Sequence, residues 1–300
     1  MEEGPVTAPV AARSSASVER KDVRFLWLDL TRKCQLKCEH CLNESSPEGD
    51  HGEMTREDWV RVLNEGAASG VRAVQLFGGE PMLHPNALEL VERALDHGMK
   101  IEVYSNLVHV SNAWWGILQC RDVSLATSYY SDVPEEHNKI TGRKSHGRTK
   151  SNIAEAIRLG IPVRVGIIDC GGGQRVEEAR RELIALGVKN IKTDHVRPYG
   201  RAACGQKQNA EGLCGRCGDG RAAVGPDGNV SPCVFSTWLS VGNVLDSSLE
   251  DVLVGDAMIA AGVLIRSNVR MGDNGDDDDD DDNDDECTPG FPGSECTPRN

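Results

Sequence analysis

Several features that mark whole classes of protein are missing from this 300-residue sequence. It contains no run approaching the roughly 18 apolar residues that a membrane span requires. It begins Met1-Glu2-Glu3, without the basic and apolar segments of a secretory signal. It also lacks an excess of positive charge, since residues 271–300 hold twelve acidic residues and one basic residue, while residues 1–270 hold 35 acidic and 32 basic ones. We therefore expect binding to neither membrane nor nucleic acid.

Cysteine is plentiful, with eleven residues in the chain. Without an export signal, a framework of disulfides is not expected, because the cytoplasm keeps thiols reduced. We therefore predict a cytoplasmic protein whose clustered cysteines bind metal or take part in chemistry.

Short apolar segments alternate with amphipathic helical segments over residues 23–196. A capping box at Thr55-Arg-Glu-Asp58 and glycines after the helical segments support this division. Strand–helix repeats of this kind predict an α/β fold with a parallel sheet, either open and doubly wound or curled into part of a TIM-like barrel. In both folds, ligands lie at the carboxyl ends of the strands. The six predicted strands are 25–31, 71–77, 99–105, 123–128, 163–168 and 188–196.

The composition changes after Gly200, and the predicted domain boundaries follow the changes. We expect a flexible leader at 1–22 and the α/β domain at 23–202. Residues 203–265 hold too few apolar residues for a core of their own. We therefore expect a small Cys-rich domain there that is stabilised by bound metal. Residues 266–300 form an acidic, low-complexity tail.

Cys34, Cys38 and Cys41 directly follow the first predicted strand, in a Cys-x3-Cys-x2-Cys spacing. Three thiolates on one loop can hold three irons of a [4Fe–4S] cube and leave the fourth iron open. Zinc is the alternative, but a zinc site usually pairs Cys-x2-Cys with a second pair of ligands. The triplet therefore favours an open iron–sulfur cluster.

A second motif, Gly78-Gly79-Glu80-Pro81, directly follows the second predicted strand. Its glycines let the backbone approach a ligand closely, and Glu80 brings a carboxylate to the edge that carries the cysteines. Alone, the motif would indicate only a turn before a helix. Beside the cysteine triplet, it indicates a ligand site.

The 34–41 and 78–81 segments together resemble the radical S-adenosylmethionine (SAM) superfamily, over about residues 24–201. The resemblance implies a partial (β/α)6 TIM-like barrel. It also implies that Cys34, Cys38 and Cys41 ligate a [4Fe–4S] cluster whose fourth iron binds the amine and carboxylate of SAM. One electron, supplied by a flavodoxin- or ferredoxin-type reductant, would then cleave SAM to methionine and a 5′-deoxyadenosyl radical that abstracts hydrogen from substrate.

The same resemblance implies the contacts to SAM. The 78–81 motif would contact the methionyl amine, and His40 would lie over the adenine. Tyr104-Ser105-Asn106 resembles a Thr-Asn-Gly stretch near the ribose, and the SAM carboxylate would contact Ser128 and Arg143, with Arg148 as a competitor. The implied SAM-binding residues are thus His40, Gly78, Gly79, Glu80, Pro81, Ser105, Asn106, Ser128 and Arg143.

Cys214, Cys217 and Cys233 form a second group, three metal ligands of an incomplete set. Their spacing resembles the first half of the SPASM domain, or its shorter Twitch form, which carries auxiliary [4Fe–4S] clusters. The second half, a Cys-x2-Cys-x5-Cys-x3-Cys run, is missing, which favours one auxiliary cluster. A four-cysteine zinc ribbon uses similar spacings and remains the alternative.

The fourth ligand of the second group is left open by the sequence. Cys204, Cys287 and Cys296 are the candidates, and we favour one of the two tail cysteines. A tail that returns to close the site would explain why cysteines follow the run of seven aspartates at 276–282. The run itself is expected to be solvated, with recruitment of a basic leader peptide as the alternative.

Asp169 and Cys170 end the fifth predicted strand, on the edge where SAM and substrate should meet. They are the candidate catalytic residues, as an acid–base group and a radical-quenching thiol. For Cys170, the interpretation that we favour is a buried small residue at a strand end. Arg197, after the last strand, is a candidate for binding a carboxylate of substrate or SAM.

We therefore predict a radical SAM enzyme with an auxiliary cluster domain. SPASM and Twitch members imply a ribosomally made peptide as substrate, with a side-chain cross-link, thioether or epimer as product. A radical SAM dehydrogenase or another modification of a small molecule is one alternative. A non-enzymatic iron–sulfur or zinc protein that transfers electrons or acts as a scaffold is another, although it would not need the 78–81 motif.

Overall fold

Nine strands form one sheet in residues 23–268, the part of the chain that the computed structural model describes. The sheet has the order β6-β5-β4-β3-β2-β1-β7-β8-β9. The strands are β1 (Phe25–Asp29), β2 (Ala73–Phe77), β3 (Lys100–Tyr104), β4 (Val123–Tyr129), β5 (Val163–Asp169), β6 (Asn190–His195), β7 (Arg221–Val224), β8 (Asn229–Ser231) and β9 (Gly242–Asn243).

Strands β1 to β6 are all parallel, and each pairs with the next one along the chain. A doubly wound sheet would reverse its direction of winding and so place non-consecutive strands side by side. Winding in one direction is the arrangement of a barrel wall. The structure therefore decides between the two alternatives, and the predicted partial (β/α)6 barrel is confirmed.

Six helices follow the barrel strands and two lie in the C-terminal part of the described residues. Helix α1 begins with the predicted capping box, in which Thr55 Oγ1 accepts from the Asp58 amide at 3.2 Å and the Thr55 amide donates to the Asp58 carboxylate at 3.0 Å. The helices are α1 (Arg56–Ala68), α2 (Ala87–Asp96), α3 (Asn112–Ile117), α4 (Pro134–Thr141), α5 (His146–Arg158), α6 (Val176–Ala185), α7 (Leu249–Val254) and α8 (Asp256–Asn268).

Helix α8 was not predicted. It buries Met258, Ala261 and Ile265, but it also exposes Val263 and Leu264 on the opposite side. Apolar residues therefore cover most of its circumference, which hides the helical period in the sequence. Among residues 23–268, no helix is both long enough and apolar enough to cross a membrane.

Strand β1 is buried on both faces, and its alternating side chains belong to two different cores. Leu26 and Leu28 pack in the main core, between the sheet and the helices. Phe25 and Trp27 pack in a second core that includes Cys217, Cys233 and Tyr199. The barrel and the cysteine-rich part thus share their central strand.

The cysteine-rich part continues the barrel sheet. Strand β7 pairs in parallel with β1, with Phe25 opposite Arg221, and β8 and β9 follow as antiparallel strands. The domain boundary at 202/203 stays a prediction. The predicted leader, 1–22, lies outside the described residues, and so does most of the predicted tail, 269–300, with Cys287 and Cys296.

Candidate active site at the carboxyl edge of the sheet

A cavity of about 760 Å³ lies at the carboxyl ends of the barrel strands. The loop after β1, the turn after β2 and the ends of β3, β4 and β6 all contribute to its wall. The predicted site residues that line it are Cys34, Cys38, His40, Cys41, Gly78, Gly79, Ser105, Asn106 and Ser128. Folding thus brings together residues that the sequence placed on four separate loops.

The three cysteines of the first loop are free thiols in a setting that disfavours a bare thiolate. Burial, together with the nearby Glu80 carboxylate, raises the pKa of Cys34 to about 12. Burial also raises the pKa of Cys38, as does the proximity of Cys41. Thiolates crowded in this way need a cation to balance their charge, so that the donor set fits a metal centre.

The arrangement of these donors suits a cluster better than a single ion. Within residues 23–268, no group of three or more His, Cys, Asp or Glu side chains is arranged to hold one metal ion. Tetrahedral zinc needs such convergence. An iron–sulfur cube does not, because each thiolate binds a different iron.

Two glycines far away in sequence allow the cysteine loop to pack tightly. Gly142 ends α4 in the left-handed region, and a Cβ there would lie 2.6 Å from the Lys37 carbonyl oxygen. A Cβ on Gly200 would lie 2.1 Å from the Leu42 carbonyl oxygen. A larger residue at either position would displace the loop that carries the thiols.

The 78–81 motif forms hydrogen bonds to the same loop from the other side. The Gly79 amide donates to the Thr31 carbonyl at 2.6 Å, and the Glu80 amide donates to the Lys33 carbonyl at 2.9 Å. A Cβ on Gly79 would lie 2.3 Å from that Lys33 oxygen. Pro81 is buried and begins a turn of 3-10 helix.

Glu80 lies behind the cavity wall rather than in it. Its side chain is 1% exposed, and its carboxylate accepts from the Met82 amide at 3.1 Å and the Asn106 amide at 2.9 Å. Burial raises the pKa of Glu80 to about 7. The carboxylate therefore joins the β2 turn to the β3 turn, which holds Gly78 and Gly79 at the cavity surface.

Asn106 links the end of β3 to the cysteine loop. Its Nδ2 donates to Cys34 Sγ at 3.5 Å, and its Oδ1 accepts from Gln35 Nε2 at 3.0 Å. A hydrogen bond to a thiolate sulfur favours the charged, metal-binding form. Neighbouring Ser105 accepts from the Leu107 amide at 3.0 Å and so shapes the turn.

His40 is held in the cavity wall between Cys38 and Cys41. Its Nε2 lies 3.2 Å from the Tyr130 hydroxyl, and the two rings meet edge to face with centroids 5.2 Å apart. Burial lowers the pKa of His40 to about 4, so the ring is neutral at pH 7. A neutral, planar ring that lines the cavity is suited to contact a planar nucleotide base such as adenine.

Tyr104 and Tyr130 also line the cavity; sequence reasoning named Tyr104 only as part of the stretch near the ribose and did not select Tyr130. The Tyr104 hydroxyl lies 2.9 Å from Ser128 Oγ, which fixes the serine at the end of β4. The signal for Tyr130 was its place just after β4, two residues beyond Ser128. His137 of α4, which sequence reasoning did not select, lines the cavity as well, buried between Tyr129 and Tyr130.

Arg143 is exposed and does not line the cavity, and its competitor Arg148 is exposed as well. The left-handed cap at Gly142 turns the chain outward just before Arg143. The assignment of Arg143 to the SAM carboxylate stays a prediction, and the geometry does not favour it. Cations that line the cavity include Arg164 and Arg180, while Arg197 lines it beside Asp194.

Cys170 directly follows β5 and is exposed, so the favoured interpretation as a buried small residue is wrong. Its Sγ lies 3.9 Å from His40 Nδ1, and partial burial of the thiol raises its pKa to about 11. Asp169 accepts from the Gly171 amide at 2.8 Å. Neither residue lines the cavity, and their catalytic roles stay predictions.

The second group of cysteines does not itself line the cavity. The Cys217 thiol is in hydrogen-bonding contact with Cys214 and Cys233, and this contact raises the pKa of Cys217 strongly. Val234 and Phe235, which follow Cys233, line the cavity. Three adjoining thiols, two of them buried, fit an auxiliary cluster as a donor set.

Cys204 is exposed, in a left-handed turn. It is not among the groups that perturb Cys217 or Cys233. The other candidates for the fourth ligand, Cys287 and Cys296, lie outside the described residues.

Comparison with known proteins agrees with this geometry. The family model of the radical SAM superfamily matches residues 28–186, and that of SPASM, an iron–sulfur cluster-binding domain, matches residues 214–289. The PqqA peptide cyclase of Methylorubrum extorquens (strain PA1) is 30% identical over 204 residues, which cover 66% of this chain and 52% of that protein. The chain thus spans about half the length of the curated relatives it matches.

Two crystal structures of Streptococcus suis SuiB share the fold. SuiB bound to S-adenosylmethionine has a TM-score of 0.69 and 16% identity, covering 82% of this chain and 68% of that one. SuiB bound to its precursor peptide SuiA has a TM-score of 0.67 and 16% identity, covering 82% and 67%.

The radical SAM model implies SAM and a [4Fe–4S] cluster, and the SPASM model implies an auxiliary iron–sulfur cluster. The two groups of cysteines are the predicted ligands of these clusters. The radical SAM match covers more than half of the 300 residues and includes both the cysteine loop and the 78–81 motif. This chain belongs to the radical SAM superfamily.

Proposed function

We propose that this protein is a radical SAM enzyme that modifies a ribosomally made peptide. The observation that carries the proposal is the single cavity onto which the three-cysteine loop, the glycine turn after β2 and the ends of β3 and β4 all open. Cys34, Cys38 and Cys41 would hold the cluster, and the cluster together with SAM would supply the radical chemistry that removes hydrogen from the peptide.

The residues of the chain would hold and orient these groups. Cys34, Cys38 and Cys41 would ligate the cluster, and Asn106 would donate a hydrogen bond to the Cys34 sulfur. His40, fixed by Tyr130, would contact the adenine. Hydrogen bonds from the Asn106 amide to Glu80 and from the Asn106 side chain to Cys34 hold this wall in place.

The edge of the sheet supports a peptide as substrate. Within residues 23–268, β6 ends the sheet, and it lies half-buried along the cavity. An edge strand presents backbone N–H and C=O groups that an extended peptide can pair with. A small molecule has no comparable use for such an edge.

The relatives support the same substrate class. The curated relatives are named PqqA peptide cyclases, and SuiB was solved with its precursor peptide. A cross-link, thioether or epimer on a peptide side chain would be the product. A radical SAM dehydrogenase acting on a small molecule is the alternative.

The cysteine-rich part would hold one auxiliary [4Fe–4S] cluster through Cys214, Cys217 and Cys233. We propose Cys287 as the fourth ligand, because the SPASM match reaches residue 289 and includes it but neither Cys204 nor Cys296. Nine free cysteines in the described residues suit the reducing cytoplasm, where a flavodoxin- or ferredoxin-type protein would supply electrons.

The test uses the full chain, reconstituted anaerobically with iron and sulfide and reduced with dithionite in the presence of SAM. We expect 5′-deoxyadenosine, and a change of mass in a peptide encoded beside this gene. The Cys34→Ala variant is the control and should give neither. Absence of 5′-deoxyadenosine from the wild type would refute a radical SAM activity. Formation of 5′-deoxyadenosine with turnover of a small molecule, and no change in any peptide, would refute the substrate class alone.

A further inference from the structure

Arg201 reaches from the end of the barrel back to the cysteine loop. It lies in the 3-10 turn Gly200–Ala203, after β6. Its Nε donates to the Cys38 carbonyl at 2.7 Å and its Nη2 donates to the Ser45 carbonyl at 2.8 Å. Its amide donates to the Cys41 carbonyl at 3.0 Å. One residue thus satisfies three carbonyl oxygens of a loop about 160 positions away.

The local backbone is shaped for this contact. Gly200 has φ +55°, and a Cβ there would lie 2.1 Å from the Leu42 carbonyl oxygen and 2.4 Å from the Cys41 carbonyl oxygen. Only glycine allows the two segments to come so close. The approach delivers the Arg201 amide to Cys41 and its guanidinium to Cys38.

In the described part of the chain, the charge of Arg201 has no acidic partner. Among residues 23–268, no Asp or Glu forms an ion pair with Arg201, although fifteen other pairs are present. The guanidinium is half-buried and close enough to act electrostatically on both the Cys38 thiol and the His40 ring. Its charge is therefore directed at the cysteine loop.

We infer that Arg201 is a positioning residue for the cysteine loop, and that it places a fixed positive charge beside the cluster held there. The second part rests on the proposed function, because it requires a cluster on that loop. Reduction adds one negative charge to a cluster, and a nearby cation stabilises the reduced form. Arg201 therefore makes the barrel cluster easier to reduce.

The two roles are separated by two variants. Arg201→Met keeps the approximate volume but removes the charge and the side-chain donors, whereas Arg201→Lys keeps the charge but loses the planar fork. Arg158→Met is the matched control, since Arg158 is exposed and pairs only with Glu155 on its own helix. Thermal unfolding of all four proteins identifies any variant that fails to fold.

The positioning role is measured without metal, by hydrogen exchange in the apo protein. The Cys41 and Glu44 amides donate to the Cys38 and Cys41 carbonyls that Arg201 also holds. We expect these two amides to exchange about tenfold faster in Arg201→Met and also faster in Arg201→Lys. Arg158→Met should match the wild type.

The effect of the charge on the reduction potential of the barrel cluster is measured by redox titration of the reconstituted proteins. The barrel cluster is followed by the electron paramagnetic resonance signal that changes when SAM is added. At a fixed potential, we expect the ratio of reduced to oxidised barrel cluster to fall about tenfold in Arg201→Met, which corresponds to 59 mV for a one-electron couple. Arg201→Lys should stay close to the wild type.

Unchanged exchange and unchanged potential in Arg201→Met would overturn the inference. Faster exchange with an unchanged potential would overturn its second part. If the wild type takes up no iron, the proposed function fails, and the exchange rates of the apo protein still decide the positioning role.

Discussion

Gly142 offers a direct test of how the barrel supports the cysteine loop, through the substitution Gly142→Ala. The residue caps α4 with φ +69°, and an added Cβ would meet the Lys37 carbonyl oxygen at 2.6 Å. The α4 end also accepts two amides of the loop, Lys37 to Thr141 at 3.1 Å and Glu39 to Ile140 at 3.0 Å. The methyl group must therefore displace the loop that carries Cys38.

Gly98 is a matched control for this substitution. It follows α2 with the same φ of +69°, but a Cβ there would meet nothing within 4 Å. Gly98→Ala should cost only the left-handed backbone strain, about 1–2 kcal/mol. Gly142→Ala should cost that strain plus two weakened hydrogen bonds of about 1 kcal/mol each, or about 3–4 kcal/mol in total.

Two measurements on each variant separate strain from loop displacement. Urea unfolding of the apo proteins gives the loss of stability. Iron content after anaerobic reconstitution shows whether the cysteine loop can still bind its cluster. We expect Gly98→Ala to bind as much iron as the wild type and Gly142→Ala to lose iron from the barrel site. Equal losses of stability with equal iron contents would refute the reasoning, because the Lys37 contact would then have no energetic consequence.

Three further predictions follow from the same structure. Replacing Cys34, Cys38 and Cys41 together by alanine should lower the iron content from about eight to about four per chain, since each [4Fe–4S] cluster contributes four; four irons falling to none would show that the second group of cysteines holds no cluster. Glu102→Ala should destabilise the protein by about 3–5 kcal/mol in urea unfolding, because it breaks the buried ion pair in which Arg164 donates to Glu102 at 2.9 Å; a loss below about 1 kcal/mol would contradict this. Burial lowers the pKa of His137 from 6.5 to about 3, so that below pH 6.5 the unfolded chain binds the extra proton and stability falls as the pH drops toward 3. Between pH 7 and pH 5, the wild type should therefore lose about 2 kcal/mol more than His137→Gln, and parallel pH profiles for the two proteins would rule this out.

Local features of the sequence determined the strands and the chemistry of the cysteine loop. The predicted strands agree with β1 to β6 to within two or three residues at each end, because strand periodicity and helix caps act over a few neighbouring residues. The Cys34, Cys38 and Cys41 spacing and the 78–81 motif were equally readable. The chemistry that each motif indicates depends on short spacings within its own loop, which folding does not alter.

The tertiary structure decided whatever depends on residues far apart in the chain. Barrel and doubly wound folds share the same local pattern, and only the pairing of each strand with the next one separates them. The pairing of β7 with β1 joins residues about 196 positions apart. No local signal encodes either pairing.

The difference between local and distant contacts also explains which site residues sequence reasoning placed correctly. Asn106 and Ser128 end neighbouring parallel strands, so they had to meet at one edge of the sheet. Arg143 turns outward because of the cap before it, and Cys170 is exposed although it ends a core strand. The sequence alone determined which strands and which thiols the protein has. The fold alone decided how closely Gly142, Gly200 and Arg201 approach the backbone of the loop that carries those thiols, because such contacts exist only once distant segments have packed together.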